Sequence, residues 1–237
     1  MNSRHKLYAL EPSISATSRL LLCFKACAVT RNSSIALSPL EIPILEDEMN
    51  NQIKLALIYG SKDEAGLNTE LVKWATEVLA QRAEFEFRVI ELTNLMIITD
   101  DAAQLQRRES LRHLARADAF LIITSEQSNG YPCELQTFID QVANPWQAKP
   151  VAFIGYGGLT GGLHAIGQLR QALAALHAVP ICDFVSFSDP WALLDENGLM
   201  RQPDQTRLPM ARMLIQLNWW ARALKAARDQ VPYERVS

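Results

Sequence analysis

From Ile53 onward, short apolar runs alternate with stretches whose apolar residues recur at three- and four-residue steps. Lys54–Tyr59, Ala119–Thr124 and Pro150–Gly155 are mostly apolar, the pattern of strands buried on both faces of a parallel sheet. Phe85–Leu92 differs, because it alternates. Phe85, Phe87 and Val89 point one way and Glu86, Arg88 and Ile90 the other, which predicts a less buried edge strand. Thr69–Arg82, Gln104–Ala117, Glu134–Val142, Leu163–His177 and Leu208–Arg228 carry the helical period, with Gln104–Ala117 polar enough to face solvent. Val179–Phe187 is the fifth predicted strand, blurred by Cys182-Asp183.

Strands alternating with helices over this length imply an α/β fold: a doubly wound five-stranded parallel sheet with helices on both faces. Right-handed crossovers leave few topologies, and the flavodoxin-like order 2-1-3-4-5 makes the alternating second strand an edge. Ligands in such sheets bind beyond the carboxyl ends of the strands, where strands 1 and 3 part company. The loops after Tyr59, Thr124 and Gly155 are therefore the expected site.

Composition narrows the partners. The chain has 237 residues, is 49% hydrophobic and 21% charged, and carries a formal charge of −3, with no long basic run. Nucleic acid is not the expected partner, since that requires clustered Lys and Arg. Cys23, Cys27, Cys133 and Cys182 form no CxxC pair, and the four histidines are scattered, so no metal is expected. The cysteines read as reduced thiols, which suggests a cytoplasmic protein.

Residues 1–48 lack periodicity, and their longest apolar stretch is too short to span a membrane. Their basic, Ser-rich bias faintly resembles a transit peptide. The favoured expectation is an N-terminal extension, disordered or preceding a true start at Met49, with the functional domain at 49–237.

Three loops carry the candidate chemistry. The first, Gly60 to Thr69, joins a strand to a helix N-terminus, where backbone amides and the helix dipole favour phosphate. Ser61, Asn68 and Thr69 add side-chain donors, Lys62 adds charge, and Leu67 adds its amide. Asn68 or Thr69 acting simply as a helix cap accounts for this loop equally well. Neither a P-loop nor a GxGxxG fingerprint is present.

The second loop, Ser125-Glu126-Gln127-Ser128-Asn129-Gly130, is a polar turn whose amides can meet the edge of a flat heteroaromatic ring. An ordinary turn at Asn129-Gly130 is the plainer alternative. Glu126 is read as tying its own loop together rather than as a general base. The third loop, Gly155 to Gly162, holds five of the chain's ten glycines, more than a connection needs. Gly157 and Gly158 are the expected ligand contacts there. His164, just beyond, is read as a solvated residue at a helix start.

These loops, in this order, resemble the NADPH-dependent FMN reductase family. That family has a Gly-Ser-x-Arg loop after strand 1, a Pro-Glu-Tyr-Asn…Tyr-Pro…Ile-Asp segment after strand 3, and a Gly-Gly loop entering a helix after strand 4. Gly130-Tyr131-Pro132 through Phe138-Ile139-Asp140 is similar to the second, and Gly161-Gly162-Leu163-His164-Ala165 through Gln168-Leu169-Arg170 to the third. Asp195-Glu196-Asn197-Gly198 and Trp219-Trp220-Ala221-Arg222 are also similar to members. Three departures stand out. Asp63 occupies the place of the phosphate-binding Arg, leaving compensation to Lys62 and backbone amides. Ser125 replaces Pro, and Gln127-Ser128 replace Tyr-Asn.

The resemblance implies FMN as cofactor and NADPH or NADH as co-substrate. Electrons would pass by ping-pong hydride transfer to a small acceptor such as a flavin or quinone. Ser61, Lys62, Leu67, Asn68, Thr69, Ser125, Glu126, Gln127, Ser128, Asn129, Gly130, Gly157 and Gly158 would hold the cofactor, with no catalytic side chain required. It further implies a homodimer or homotetramer. Two other readings stay open: a flavin-poor binding or regulatory module, suggested by Asp63 and Gln127, and a one-electron carrier.

Overall fold

A computed structural model describes residues 52–60, 66–96, 100–142, 144–196, 199–200 and 204–236. All belong to one compact unit, Leu45–Ser237. The extension expected over residues 1–48 lies outside the described residues, as do Ser61, Lys62 and Asp63.

Strands β1 (Ile53–Tyr59), β2 (Phe85–Glu91), β3 (Ala119–Ser125) and β4 (Pro150–Gly157) pair in parallel in the order β2-β1-β3-β4. Beyond β4 the chain makes two short strands, β5 (Val179–Pro180) and β6 (Val185–Ser188). Both pair in parallel with β4, one at each end of it. The expected order 2-1-3-4-5 is borne out, with the fifth place shared by two segments where one continuous strand was expected. The break falls at Cys182-Asp183, where Asp183 turns toward Arg212 (3.5 Å) and Cys182 is exposed. The Asp183 backbone N–H goes to Gln216 Oε1 at 3.4 Å, so it is not available to the ladder.

The helices are α1 (Leu67–Ala80), the single turn α2 (Thr93–Met96), α3 (Asp101–Arg116), α4 (Cys133–Gln141), α5 (Leu163–Ala175) and α6 (Asp204–Gln230). They divide between the faces because side chains alternate along each strand. Ile53, Leu55 and Leu57 of β1 pack with Leu71, Trp74 and Leu79 of α1 and with Met213, Leu214 and Leu217 of α6. Ala56 and Ile58 face Leu114 of α3, Phe138 of α4 and Leu169 of α5. Every residue of β3 and β4 is buried. Each large aliphatic side chain so placed contributes about 2 kcal/mol, which makes the central strands the anchor of the fold.

The edge position of β2 also holds. Phe85 is buried with the α1 face and Ile90 with the opposite one, while Val89 is 43% exposed. Helix α3 is as polar as expected and buries only Leu114 fully. Its start is fixed by Asp100, whose side chain accepts the Ala103 N–H at 2.8 Å. No helix among the described residues is long and apolar enough to cross a membrane.

Candidate active site

The sheet order puts β1 beside β3, and the chain leaves their carboxyl ends in opposite directions. The loops after β1, β3 and β4 meet at this crevice, as the topology demands. Leu67, Asn68 and Thr69 form the first turn of α1. The helix starts two residues earlier than its apolar period suggests. Gly66 is the N-cap, with φ 72° and no side-chain cap, so the capping role considered for Asn68 or Thr69 does not apply. Leu67 is fully buried in the core, so its side chain belongs to packing and only its amide faces the helix end. Asn68 is 4% exposed, and Thr69 is on the surface.

The β3 loop is a tight hairpin. Gln127 and Gly130 exchange both backbone hydrogen bonds at 2.8 Å, and Ser128 and Asn129 between them have φ of 49° and 62°. That is the type I′ pattern, centred one residue before the expected Asn129-Gly130. A serine in the left-handed region carries strain, which persists only where neighbours impose it. Gln168 of α5 is such a neighbour. Its Nε2 donates to the Asn129 carbonyl at 3.1 Å, and its Oε1 would lie 2.8 Å from a Cβ at Gly130.

Glu126 behaves differently from its reading as a tie within its own loop. Its Oε1 accepts from Thr160 Oγ1 at 2.7 Å, its Oε2 accepts the His164 N–H at 3.1 Å, and His164 Nδ1 lies 3.1 Å from Oε1. Its partners come from the β4 loop and the start of α5, so one carboxylate joins two walls of the crevice. Burial pushes this carboxyl up, but hydrogen bonds from Thr160 and His164 outweigh it and hold it below its ordinary value. His164 is thus partnered, although its ring is 55% exposed.

The glycines of the third loop divide into two groups. A Cβ at Gly162 (φ 86°) would lie 2.6 Å from Tyr156 N, and one at Gly161 would lie 2.3 Å from Ser186 Oγ. These two serve the loop's close packing onto β4 and β6, which accounts for part of the glycine excess without a ligand. A Cβ at Gly157 would lie 3.1 Å from Glu126 Cβ, so this glycine sits close against Glu126. Gly158 alone in this loop opens onto empty space.

Residues beyond the expected set also sit here. Tyr59 ends β1 opposite Glu91, and burial together with its hydrogen bond to that carboxylate pushes the phenol up to about 12. Glu91 in turn accepts from Thr93 Oγ1 at 2.8 Å and Asn94 Nδ2 at 3.0 Å. The sequence places His164 at a helix start and Gln168 one turn further on, but does not announce their partners, close to forty positions upstream.

The donor set suits a flavin mononucleotide. Ser125 Oγ, at the carboxyl end of β3, is buried and has no hydrogen-bond partner among the described residues. It is a polar atom waiting for a polar ligand edge. Beside it lie the Gln127–Gly130 hairpin and the open surface at Gly158, with a helix N-terminus across the crevice.

Residues 53–192 match the model of the NADPH-dependent FMN reductase family. The chain belongs to that family. This FMN reductase relative is 25% identical over 138 residues to an NAD(P)H-dependent FMN reductase of Schizosaccharomyces pombe, covering 51% of this chain and 69% of that protein. It is 24% identical over 164 residues to a 2-hydroxy-1,4-benzoquinone reductase of a Burkholderia species, covering 66% and 82%. In fold it is similar to the flavoenzyme NAD(P)H:(acceptor) oxidoreductase of Paracoccus denitrificans, with a TM-score of 0.56 at 20% identity, covering 72% of this chain and 98% of that one. The family is one of oxidoreductases that use FMN and NAD(P)H.

Proposed function

We propose that this protein passes electrons from NADPH or NADH, through FMN held at the β1–β3 crevice, to a small acceptor such as a quinone or free flavin. The observation that carries the reading is the buried, unpartnered Ser125 hydroxyl at the carboxyl edge of a sheet whose family uses FMN. The quinone reductase and FMN reductase names of its relatives support the choice of acceptor.

In this reading the amides of Leu67, Asn68 and Thr69 hold the phosphate, with Ser61 and Lys62 contributing from the preceding loop. Ser125 and the hairpin residues Gln127, Ser128, Asn129 and Gly130 meet the ring edge, and Gly157 and Gly158 line its flank. Glu126 works from behind, fixing the two walls through Thr160 and His164. FMN, when bound, supplies the hydride-accepting and hydride-donating chemistry. The residues named bind and orient, and no side chain is assigned as acid or base. Donor and acceptor use the same open side of the crevice in turn, which gives ping-pong order. A homodimer or homotetramer belongs to the same proposal.

The test is a titration of the full chain with FMN, followed by steady-state oxidation of NADPH or NADH at several quinone concentrations. Parallel double-reciprocal lines are expected. A protein that neither retains FMN nor oxidises either nucleotide in its presence overturns the reading.

A further inference from the structure

At the amino-terminal end of the sheet, opposite the flavin crevice, a cleft of about 380 Å³ opens between the end of α3, the segment before β4 and the last turns of α6. Lys149 and Arg228 line it, together with Pro145, Pro232, Tyr233 and Glu234. Lys149 is half-buried. Its amine donates to the Ala115 carbonyl at 3.1 Å and lies 5.7 Å from the centre of the Phe120 ring, which is fully buried. The amine therefore sits at the boundary between core and cleft.

Arg228 is the cation beside it. One of its amines lies 3.5 Å from Asp118 Oδ1, and another donates to the carbonyl of Ala148, the residue before Lys149. Asp118 also has Lys225 Nζ 3.0 Å from its Oδ2. Tyr233 has its hydroxyl 2.9 Å from His177 Nδ1. Arg116, His177, Asp229 and Glu234 are the other titratable groups nearby, and all four are exposed, where water weakens their influence. Burial first, and then the Arg228 charge, push the Lys149 ammonium down to about 8, with Asp118 pulling the other way. Near neutral pH a sizeable share of Lys149 thus carries a free lone pair on nitrogen, the form in which a lysine is a nucleophile.

We propose that Lys149 is an acylation site, whose amine takes a short acyl group from an activated donor, a thioester or an acyl phosphate, seated in this cleft. The neutral Nζ attacks the acyl carbonyl carbon and forms the C–N bond. The bond from that carbon to sulfur or to phosphate oxygen breaks, and the thiolate or phosphate leaves with the electron pair. The proton lost from nitrogen passes to water. The product suits its surroundings better than the ammonium does. An amide nitrogen keeps one N–H, enough for the Ala115 carbonyl. The charge is gone, and with it the cost of burying it and the repulsion from Arg228. Pro145 and Pro232 give the cleft an apolar wall for a short acyl chain.

The site lies apart from the flavin crevice, so it is tested on the full chain with FMN in excess. Acetyl phosphate is the probe in one arm and S-acetyl-N-acetylcysteamine in the other, and initial rates at each lysine are read by mass spectrometry. At about pH 7.5, about a quarter of an amine that titrates near 8 is neutral, against about one in a thousand for an ordinary lysine. Lys149 should therefore be acetylated about tenfold or more faster than the exposed Lys73 in at least one arm, and the arm that responds names the donor. Its rate should level off above about pH 8, where an ordinary lysine keeps gaining to about pH 10. In urea the preference should vanish, because the cleft creates it. No preference for Lys149 in either arm, a rate at Lys149 that climbs to about pH 10, or a preference that survives unfolding would each overturn the proposal. All three readings use the wild-type chain, so none depends on a variant that folds.

Discussion

His164 meets Glu126 twice, through its backbone N–H to Oε2 and through Nδ1 to Oε1, each at 3.1 Å. With the 2.7 Å bond from Thr160, this makes one carboxylate the strap between the β3 hairpin and the glycine-rich β4 loop. Both loops belong to the proposed flavin site, so their relative position is set by a residue that need not touch the flavin. Glu126→Gln puts an amide NH2 where at least one donor now points. Losing one charge-assisted bond of this kind costs about 1.5–3 kcal/mol, so FMN binding should weaken by about 10- to 150-fold with the fold retained. Fluorescence titration with circular dichroism as control measures it, and unchanged affinity would show that the strap is dispensable.

The same carboxylate predicts an acid-side effect. Its hydrogen bonds hold it below its ordinary value in the folded state, so between the two values the unfolded chain binds more protons. The stability it contributes is complete above about pH 4.3, the unfolded value, and is lost as pH falls through the lower folded value. The gap between the melting curves of wild type and Glu126→Gln should therefore narrow as pH falls below about 4.3. A gap that stays constant throughout the acid range would contradict the assignment.

Ser125→Ala should have opposite effects on the two states of the protein. Its hydroxyl is buried without a partner, so removing it stabilises the flavin-free protein by about 1 kcal/mol. The same change should weaken FMN binding about three- to tenfold, because a ring-edge contact is lost. Thermal unfolding with and without FMN reads both effects, and a variant that binds FMN as well as the wild type removes Ser125 from the site.

Much of this architecture was legible because its signals are local. Ala119–Thr124 had to be a central strand, since an apolar run of that length can be satisfied only with both faces covered, and all of β3 is buried. The alternation of Phe85–Ile90 likewise carried its edge position. What escaped were contacts between distant positions. Nothing near Glu126 in the chain announces Thr160 or His164 as partners. The glycines of the β4 loop gave an ambiguous signal, because a close-packed backbone and a ligand-facing backbone call for the same residue. Gly162 does the first and Gly158 is free to do the second. The hairpin turned one residue early because Gln168 grips the Asn129 carbonyl, again from far along the chain.

That division of the glycines can be measured. Gly162→Ala forces a Cβ to 2.6 Å from Tyr156 N at φ 86°, against backbone that cannot give way. It should cost about 3 kcal/mol or more and lower the denaturant midpoint sharply. Gly158→Ala meets nothing within 4 Å, so stability should change by no more than about 0.5 kcal/mol. Any loss of FMN affinity in Gly158→Ala then reports the ligand and not the fold. Equal destabilisation by the two substitutions would erase the distinction.

Tyr59 provides a prediction on the alkaline side. Burial first, and then its hydrogen bond and charge repulsion with Glu91, push the phenol up to about 12. The folded state therefore keeps a proton that the unfolded chain releases near pH 10. The contribution to stability is whole below that pH and is lost as pH rises toward the folded value. Difference absorbance near 295 nm, compared with Tyr59→Phe, should show this phenol ionising later than an ordinary tyrosine. Glu91→Gln removes the charge but not the burial, so it should bring the titration only part of the way back toward pH 10. A full return would make Glu91 the main cause, and no movement would mean that the two side chains at the mouth of the crevice do not interact.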